Sequence, residues 1–148
     1  ARVLDAGCGY GVIGLFAWHS GASRVDMVDN HLLSIVCARE NIQRNTPLLS
    51  NPEAQVQAFA ADALDFSPEH AYTHILTNPP FHAGKAVEMI SAHAFISQAH
   101  RLLAPGGQLI LVSNRFLRYD RLMERLFGNL SRIAESSRFH ILASIKDE

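Results

Sequence analysis

The chain has 148 residues, 48% hydrophobic and 18% charged, with a formal net charge of −1, which suits one compact domain with a single well-formed core. No apolar run approaches the length of a membrane span, and no basic-then-apolar leader opens the chain, so a cytoplasmic location is expected. The two cysteines, Cys8 and Cys37, form no C-x-x-C pair, which argues against a disulfide framework, a zinc ribbon or a redox dithiol.

Arg2-Val-Leu-Asp-Ala6 reads as a strand that runs into Gly7-Cys-Gly-Tyr-Gly11 and then into a helix over Val12 to His19. Glycines there let backbone approach a ligand and open the helix N-terminus toward it, although G-x-G-x-G alone is shared by nucleotide binders of several chemistries. Arg24 to Asp29 is the next strand, and its terminal acid stands where a carboxylate accepts hydrogen bonds from ribose hydroxyls. Leu32 to Asn45 has amphipathic spacing, with Leu32, Leu33, Ile35, Val36 and Ile42 expected inward. A loop with two prolines follows over Thr46 to Glu53. The alternating segment Gln55 to Ala60 leads to Asp62, placed to meet an adenine amino group over the same crevice. Asp29 and Asp62 equally suit helix caps or turns, the commonest use of acids at strand ends.

His74-Ile-Leu-Thr77 reads as a buried strand stopped by Asn78-Pro-Pro-Phe81, because consecutive prolines continue neither a central strand nor a helix interior. This turn puts an Asn amide, a proline carbonyl and an aromatic ring at the carboxyl end of a strand, where open α/β sheets bind ligands. Two acceptors and a ring are what a planar amine needs to be held and stacked. A long helix over Val87 to Leu103 stops at Pro105-Gly-Gly107, and Gln108 to Ser113 is an apolar central strand. A short helix over Tyr119 to Phe127 and strands over Leu130 to Glu135 and Arg138 to Ile145 suit a closing antiparallel hairpin.

The order Asp5, Gly7/Gly9/Gly11, Asp29, Asp62, Asn78-Pro-Pro-Phe81 resembles the S-adenosylmethionine-dependent methyltransferases of the seven-strand Rossmann-like fold, from end to end of the chain. The resemblance implies an α/β sheet of order 3-2-1-4-5-7-6 with the last strand antiparallel and helices on both faces. It also implies S-adenosyl-L-methionine as cofactor, held by Asp5, Gly7, Cys8, Gly9, Gly11, Asp29, Asn30, Asp62, Ala63 and Asn78, with no metal. Asn78-Pro-Pro-Phe-His-Ala-Gly84, Val112-Ser-Asn-Arg-Phe-Leu-Arg-Tyr119 and Phe127-Gly128 narrow it to the ribosomal RNA small-subunit methyltransferase C family and its large-subunit relative, which methylate guanine N2. Asn78, Pro79, Pro80 and Phe81 are then the expected catalytic group, and Phe81, His82, Arg115 and Arg118 the expected substrate contacts. His82 is as well suited to capping the following helix. The family carries a further N-terminal domain, so residues 1–148 are expected to be one catalytic domain, a C-terminal fragment of a longer protein whose partner is ribosomal RNA, with the small ribosomal subunit as one setting and the choice between small- and large-subunit RNA left open.

Charge is polarised along the chain: residues 1–82 balance to −4 and residues 83–148 to +3. A phosphate role is assigned to Arg115 and Arg118, whereas Arg121 and Arg125, four apart and interleaved with Asp120 and Glu124, read as a solvated helix face. Three other readings share parts of the pattern: an NAD-linked oxidoreductase, which leaves Asn78 to Phe81 unexplained; a protein-glutamine methyltransferase, which usually has Tyr at position 81; and an inactive RNA-binding module retaining the fold. Cytosine-C5 chemistry is disfavoured, because no cysteine lies beside the Asn78 turn to attack the ring.

Overall fold

The computed structural model describes residues 1–48, 51–79 and 85–148. Strands β1 (Arg2–Ala6), β2 (Arg24–Asp29), β3 (Gln55–Ala60), β4 (Tyr72–Thr77), β5 (Leu103–Asn114), β6 (Ser131–Glu135) and β7 (Phe139–Ile145) form one sheet of order β3-β2-β1-β4-β5-β7-β6. β7 runs antiparallel to β5 and β6, and the other pairings are parallel. The helices are α1 (Val12–His19), α2 (Leu32–Asn45), α3 (Lys85–Leu102) and α4 (Tyr119–Phe127). Fold class, strand order and the reversed last strand are therefore as the sequence predicts.

Alternation along the strands divides the interior in two. Val3, Val25 and Met27 pack with Ala17, Trp18, Ile35 and Ala38 of α1 and α2. Their neighbours Leu4, Ala6 and Val28 join Ile75, Leu109 and Leu142 beneath Phe95, Ile96 and Met123 of α3 and α4. Helices thus cover both faces, and the short parallel strands β1, β2 and β4 direct their carboxyl ends to one edge.

Two expectations need correction. On α2 only Ile35 and Ala38 are buried and Ile42 is half-buried, whereas Leu32, Leu33 and Val36 are exposed. The covered stripe is the narrow row at three- and four-residue intervals that meets the sheet edge. Leu32 falls on that row but in the first turn of the helix, where it is exposed. The second correction concerns Pro105-Gly-Gly107, which lies inside β5 and not between a helix and a strand. Tyr72 pairs with Leu103 and His74 with Gln108, so two steps on β4 face five on β5. The extra residues form a bulge with Gly106 at φ 75°, tied by Gly106 N–H to Lys146 O and Lys146 N–H to Gly107 O, both 2.8 Å.

Candidate active site

The carboxyl ends of β1, β2 and β4 enclose a cavity of about 240 Å³ lined by Gly7, Asp29, Asn30, Asp62 and Ala63, and also by Val28, Thr77, Pro79 and Phe95. The glycine turn from β1 into α1 is its wall. Gly7, Gly9 and Gly11 have φ of 72°, 55° and 91°, a region side chains disfavour. Gly7 N–H and Cys8 N–H both donate to Val28 O, at 2.8 and 3.0 Å, and Gly11 N–H donates to Cys8 O at 2.9 Å. These amides hold the turn's own shape, so Gly9, Gly11 and Cys8 support the wall from behind while Gly7 meets the cavity. A Cβ on Gly11 would stand 2.9 Å from Met27 Sδ, in addition to the strain of its φ. Gly11→Ala is expected to cost about 1–3 kcal/mol of stability, measurable as a lower midpoint in urea unfolding.

Asp29 is the hinge between the turn and α2. Its Oδ2 accepts the Gly9 N–H and its Oδ1 the His31 N–H, both at 2.9 Å. The carboxylate is fixed in orientation, with further lone pairs toward the cavity. Asp62 is fixed in the same way, its Oδ1 accepting Leu64 N–H at 2.9 Å. The local turn role expected of acids at strand ends is therefore present at both positions, together with their place in the cavity wall. Thr77, whose hydroxyl donates to Ala6 O at 2.8 Å, locks the end of β4 to the end of β1.

Asp5 is fully buried behind the turn. Its Oδ2 accepts Gly14 N–H at 2.8 Å, while Oδ1 has no partner among the described residues. Burial pushes its carboxyl up to about 7, against the lowering effect of the Gly14 N–H and with help from the negative Asp29. Burial, reinforced by Asp5 and Asp29, likewise pushes the Cys8 thiol up to about 12, which keeps it protonated and poorly nucleophilic.

Asn78 is exposed at the mouth of this cavity, one residue before Pro79 in its lining. The expected roles of Pro80, Phe81 and His82 lie outside the described residues. Arg115 and Arg118, expected at phosphates, both engage carboxylates: Arg115 reaches Glu135 Oε1 at 2.5 Å, and Arg118 makes two 3.1 Å hydrogen bonds to Asp120. Sequence reading missed Val28, Thr77, Leu64, Ser91 and Phe95 as lining residues. The inward period of their strands and helix could have marked all but Leu64, which lies in the turn after β3. A larger hollow of about 400 Å³ along α3, lined by His93, Ser97 and His100 among others, shares only Leu64 with this site and has no strand-end acid.

Two oriented acids and apolar walls from Val28, Ala63 and Phe95 fit a ligand with ribose hydroxyls and a flat ring, whereas Asp5 lies behind the lining. Comparison with known proteins agrees. The family model "Methyltransferase small domain" matches residues 1–143. Ribosomal RNA large subunit methyltransferase G of Aliivibrio fischeri (strain MJ11) is 34% identical over 150 residues, covering 99% of this chain and 38% of that protein. The enzyme of the same name from Stutzerimonas stutzeri (strain A1501) is 36% identical over 146 residues, covering 98% and 38%. The chain thus spans about 38% of the length of these curated relatives. Among solved structures, the T. thermophilus 16S rRNA N2 G1207 methyltransferase RsmC, in complex with AdoMet and guanosine, superposes with a TM-score of 0.80 at 32% identity, over 98% of this chain and 37% of that one. N-methyltransferase NodS from Bradyrhizobium japonicum WM9, with S-adenosyl-L-homocysteine, shares the fold alone, with a TM-score of 0.73 at 18% identity over 100% and 79% of the chains. The chain belongs to the methyltransferase small domain family, which is S-adenosyl-L-methionine-dependent.

Proposed function

We propose that this chain is the catalytic domain of a ribosomal RNA methyltransferase that transfers a methyl group to the exocyclic N2 of a guanine. The observation that carries the reading is the adjacency of Asn78 and Pro79, at the end of β4, to a cavity walled by Asp29 and Asp62. In this reading Asp29 and Asn30 hold the ribose, Asp62 and Ala63 the adenine, and Asp5 with the glycine turn the amino-acid end of S-adenosyl-L-methionine. That cofactor supplies an electrophilic methyl group on a sulfonium. The work of the chain is on the acceptor. A guanine N2 is a poor nucleophile, because its lone pair is delocalised into the ring. The Asn78 side-chain oxygen and the Pro79 carbonyl would accept hydrogen bonds from its two N–H groups and return electron density to nitrogen as the N–C bond forms and the C–S bond breaks, with S-adenosylhomocysteine leaving and the surplus proton of the alkylated, now acidic amine passing to water. The roles proposed for Phe81, as the ring that would stack on the flipped base, and for His82, as a substrate contact, are those expected from the sequence. Positioning of the amine in line with the methyl group supplies much of the rate. Arg115 and Arg118 steer phosphates with the donors their carboxylate partners leave free.

Ribosomal RNA as substrate and a longer parent polypeptide are supported by the relatives' names and by the share of their length that this chain spans. The relatives named above comprise large-subunit enzymes and one small-subunit enzyme, so ribosomal RNA guanine is the level at which the reading is stated. The NAD alternative is disfavoured by the turn itself. A pyrophosphate needs free amides, and those of Gly7, Cys8, Gly9 and Gly11 are already engaged within the fold. Calorimetric titration of wild type and Asp29→Ala with S-adenosylmethionine, S-adenosylhomocysteine and NAD tests the reading. Both S-adenosyl ligands should bind the wild type and bind the variant at least about tenfold more weakly, since a buried-side charged acceptor contributes about 1.5–3 kcal/mol. Binding of NAD alone would overturn it.

A further inference from the structure

We infer that Phe116, presented by the turn between β5 and α4, is a stacking platform for a single-stranded RNA nucleotide flanking the target base; this rests on the RNA reading above. Among the described residues Phe116 is the most exposed large apolar side chain, at 84%. Exposure of one ring is ordinary on a protein surface, so its mounting and the charges beside it carry the inference. Its mounting is rigid. Asn114 Oδ1 accepts the Phe116 N–H at 2.9 Å, Leu117 N–H donates to Asn114 O at 3.0 Å, and Arg115 N–H donates to Arg138 O at 3.0 Å. The last bond ties the turn to the start of β7, where half-exposed Phe139 pairs with Asn114 in register. A second exposed aromatic residue, Phe139, is thus paired in register with the residue on which the Phe116 turn is built.

The surroundings say which partner fits. Arg115 adjoins Phe116 in the turn and Arg118 follows it by two residues, the Arg138 carbonyl accepts the Arg115 N–H, and Arg132 shares Asp120 with Arg118; these four arginines and their partners Asp120 and Glu135 balance to +2 in a chain whose total is −1. The two acids orient three of these guanidinium groups and leave outward donors, since each Arg carries five N–H groups. By contrast Phe16, another strongly exposed ring, lies in an apolar hollow lined by Ala17, Ala22 and Leu76, without an arginine. Aromatic faces interleaved with oriented arginines bind single-stranded nucleic acid by stacking and phosphate attraction. The position is also apt. β5 adjoins β4, Leu111 pairs with Thr77, and Asn114 lies three residues further along, roughly 10 Å at strand rise. A nucleotide stacked on Phe116 therefore neighbours a base held at Asn78.

The test compares wild type, Phe116→Ala and Phe116→Trp, binding a fluorescein-labelled RNA decamer with one central guanosine in adenosine flanks, by anisotropy at fixed salt. The same decamer is run as a duplex, and S-adenosylhomocysteine affinity is measured by calorimetry on all three proteins. Phe116→Ala should bind the single strand about tenfold more weakly. Phe116→Trp should stay within about twofold of wild type, and the affinity for S-adenosylhomocysteine should be equal in all three. Unchanged RNA binding by Phe116→Ala, or a tryptophan variant as weak as the alanine one, overturns the platform. So does an equal loss on the duplex, which would point to a shape or charge contact. Methyl transfer from labelled S-adenosylmethionine to ribosomal RNA by the wild type separates the two ideas. Its absence sinks the functional reading, whereas its presence with unaltered Phe116→Ala binding sinks only the platform.

Discussion

Asn78→Ala should lower kcat for methyl transfer to guanine by on the order of a hundredfold to a thousandfold, the usual cost of removing one oriented group that stabilises developing charge. The affinity for S-adenosylmethionine should stay within several fold, because Asn78 stands at the exposed mouth while Gly7, Asp29, Asp62 and Ala63 make the wall. The backbone beneath it is secured elsewhere: Thr77 is buried and bonded to Ala6 O, so truncating the next side chain leaves the end of β4 in place. Asn78→Asp separates acceptor geometry from bulk. It keeps an oxygen where the amide oxygen stood and should retain clearly more turnover than the alanine variant. Steady-state kinetics with labelled cofactor, alongside calorimetry, give both readouts. Parallel loss of turnover and cofactor affinity in Asn78→Ala would mean that Asn78 only shapes the pocket.

The sheet was legible because its inner strands are covered on both faces. The strands that carry Val25, Met27, Val28 and Ile75 are apolar enough to read as buried, and they end in an acid or a proline signal. The wall of the site followed from those endings. What escaped depends on partners far apart in sequence. Asp26 reads as one polar residue in an alternating strand, yet it is buried and its Oδ2 accepts Tyr72 Oη–H at 2.6 Å and Arg24 Nε–H at 3.2 Å. Burial pushes the Tyr72 hydroxyl well above its ordinary value, and the bond to Asp26 adds to this. Arg115 and Arg118 read as free phosphate ligands because Glu135 of β6 and the folded position of Asp120 are invisible to local pattern. For Asp120, burial alone would raise the carboxyl, but the Arg118 hydrogen bond and neighbouring positive charge hold it below the usual range. Pro105-Gly-Gly107 read as a stop because proline and glycine usually are one, and the lysine that anchors the bulge, Lys146, lies 39 or more residues away.

Asp5→Asn should make the cofactor-free protein more stable at pH 8 while leaving it nearly unchanged at pH 4. Burial raises the Asp5 carboxyl from 3.8 to about 7 in the folded chain, so the native state binds this proton more tightly than the unfolded chain does. Stability contributed by the protonated group is therefore fully present below about pH 4 and is lost as pH rises toward 7. Converted through that linkage, the gap corresponds to at most about 4 kcal/mol. Asparagine keeps an oxygen for the Gly14 N–H, now accepted at 2.8 Å by Oδ2, and never ionises, so it escapes the loss. Urea unfolding of both proteins at pH 4 and 8 should show curves that coincide in acid and separate by several kcal/mol in base. Coincidence at both values would mean that the folded carboxyl titrates in the ordinary range. If Asp5 serves the cationic amino-acid end of the cofactor, as proposed above, the same substitution should weaken S-adenosylmethionine binding at pH 8, because Oδ1 has no partner among the described residues and a cationic ligand favours the ionised carboxylate. Wild-type affinity should accordingly rise as pH passes through 7, and that of Asp5→Asn should not.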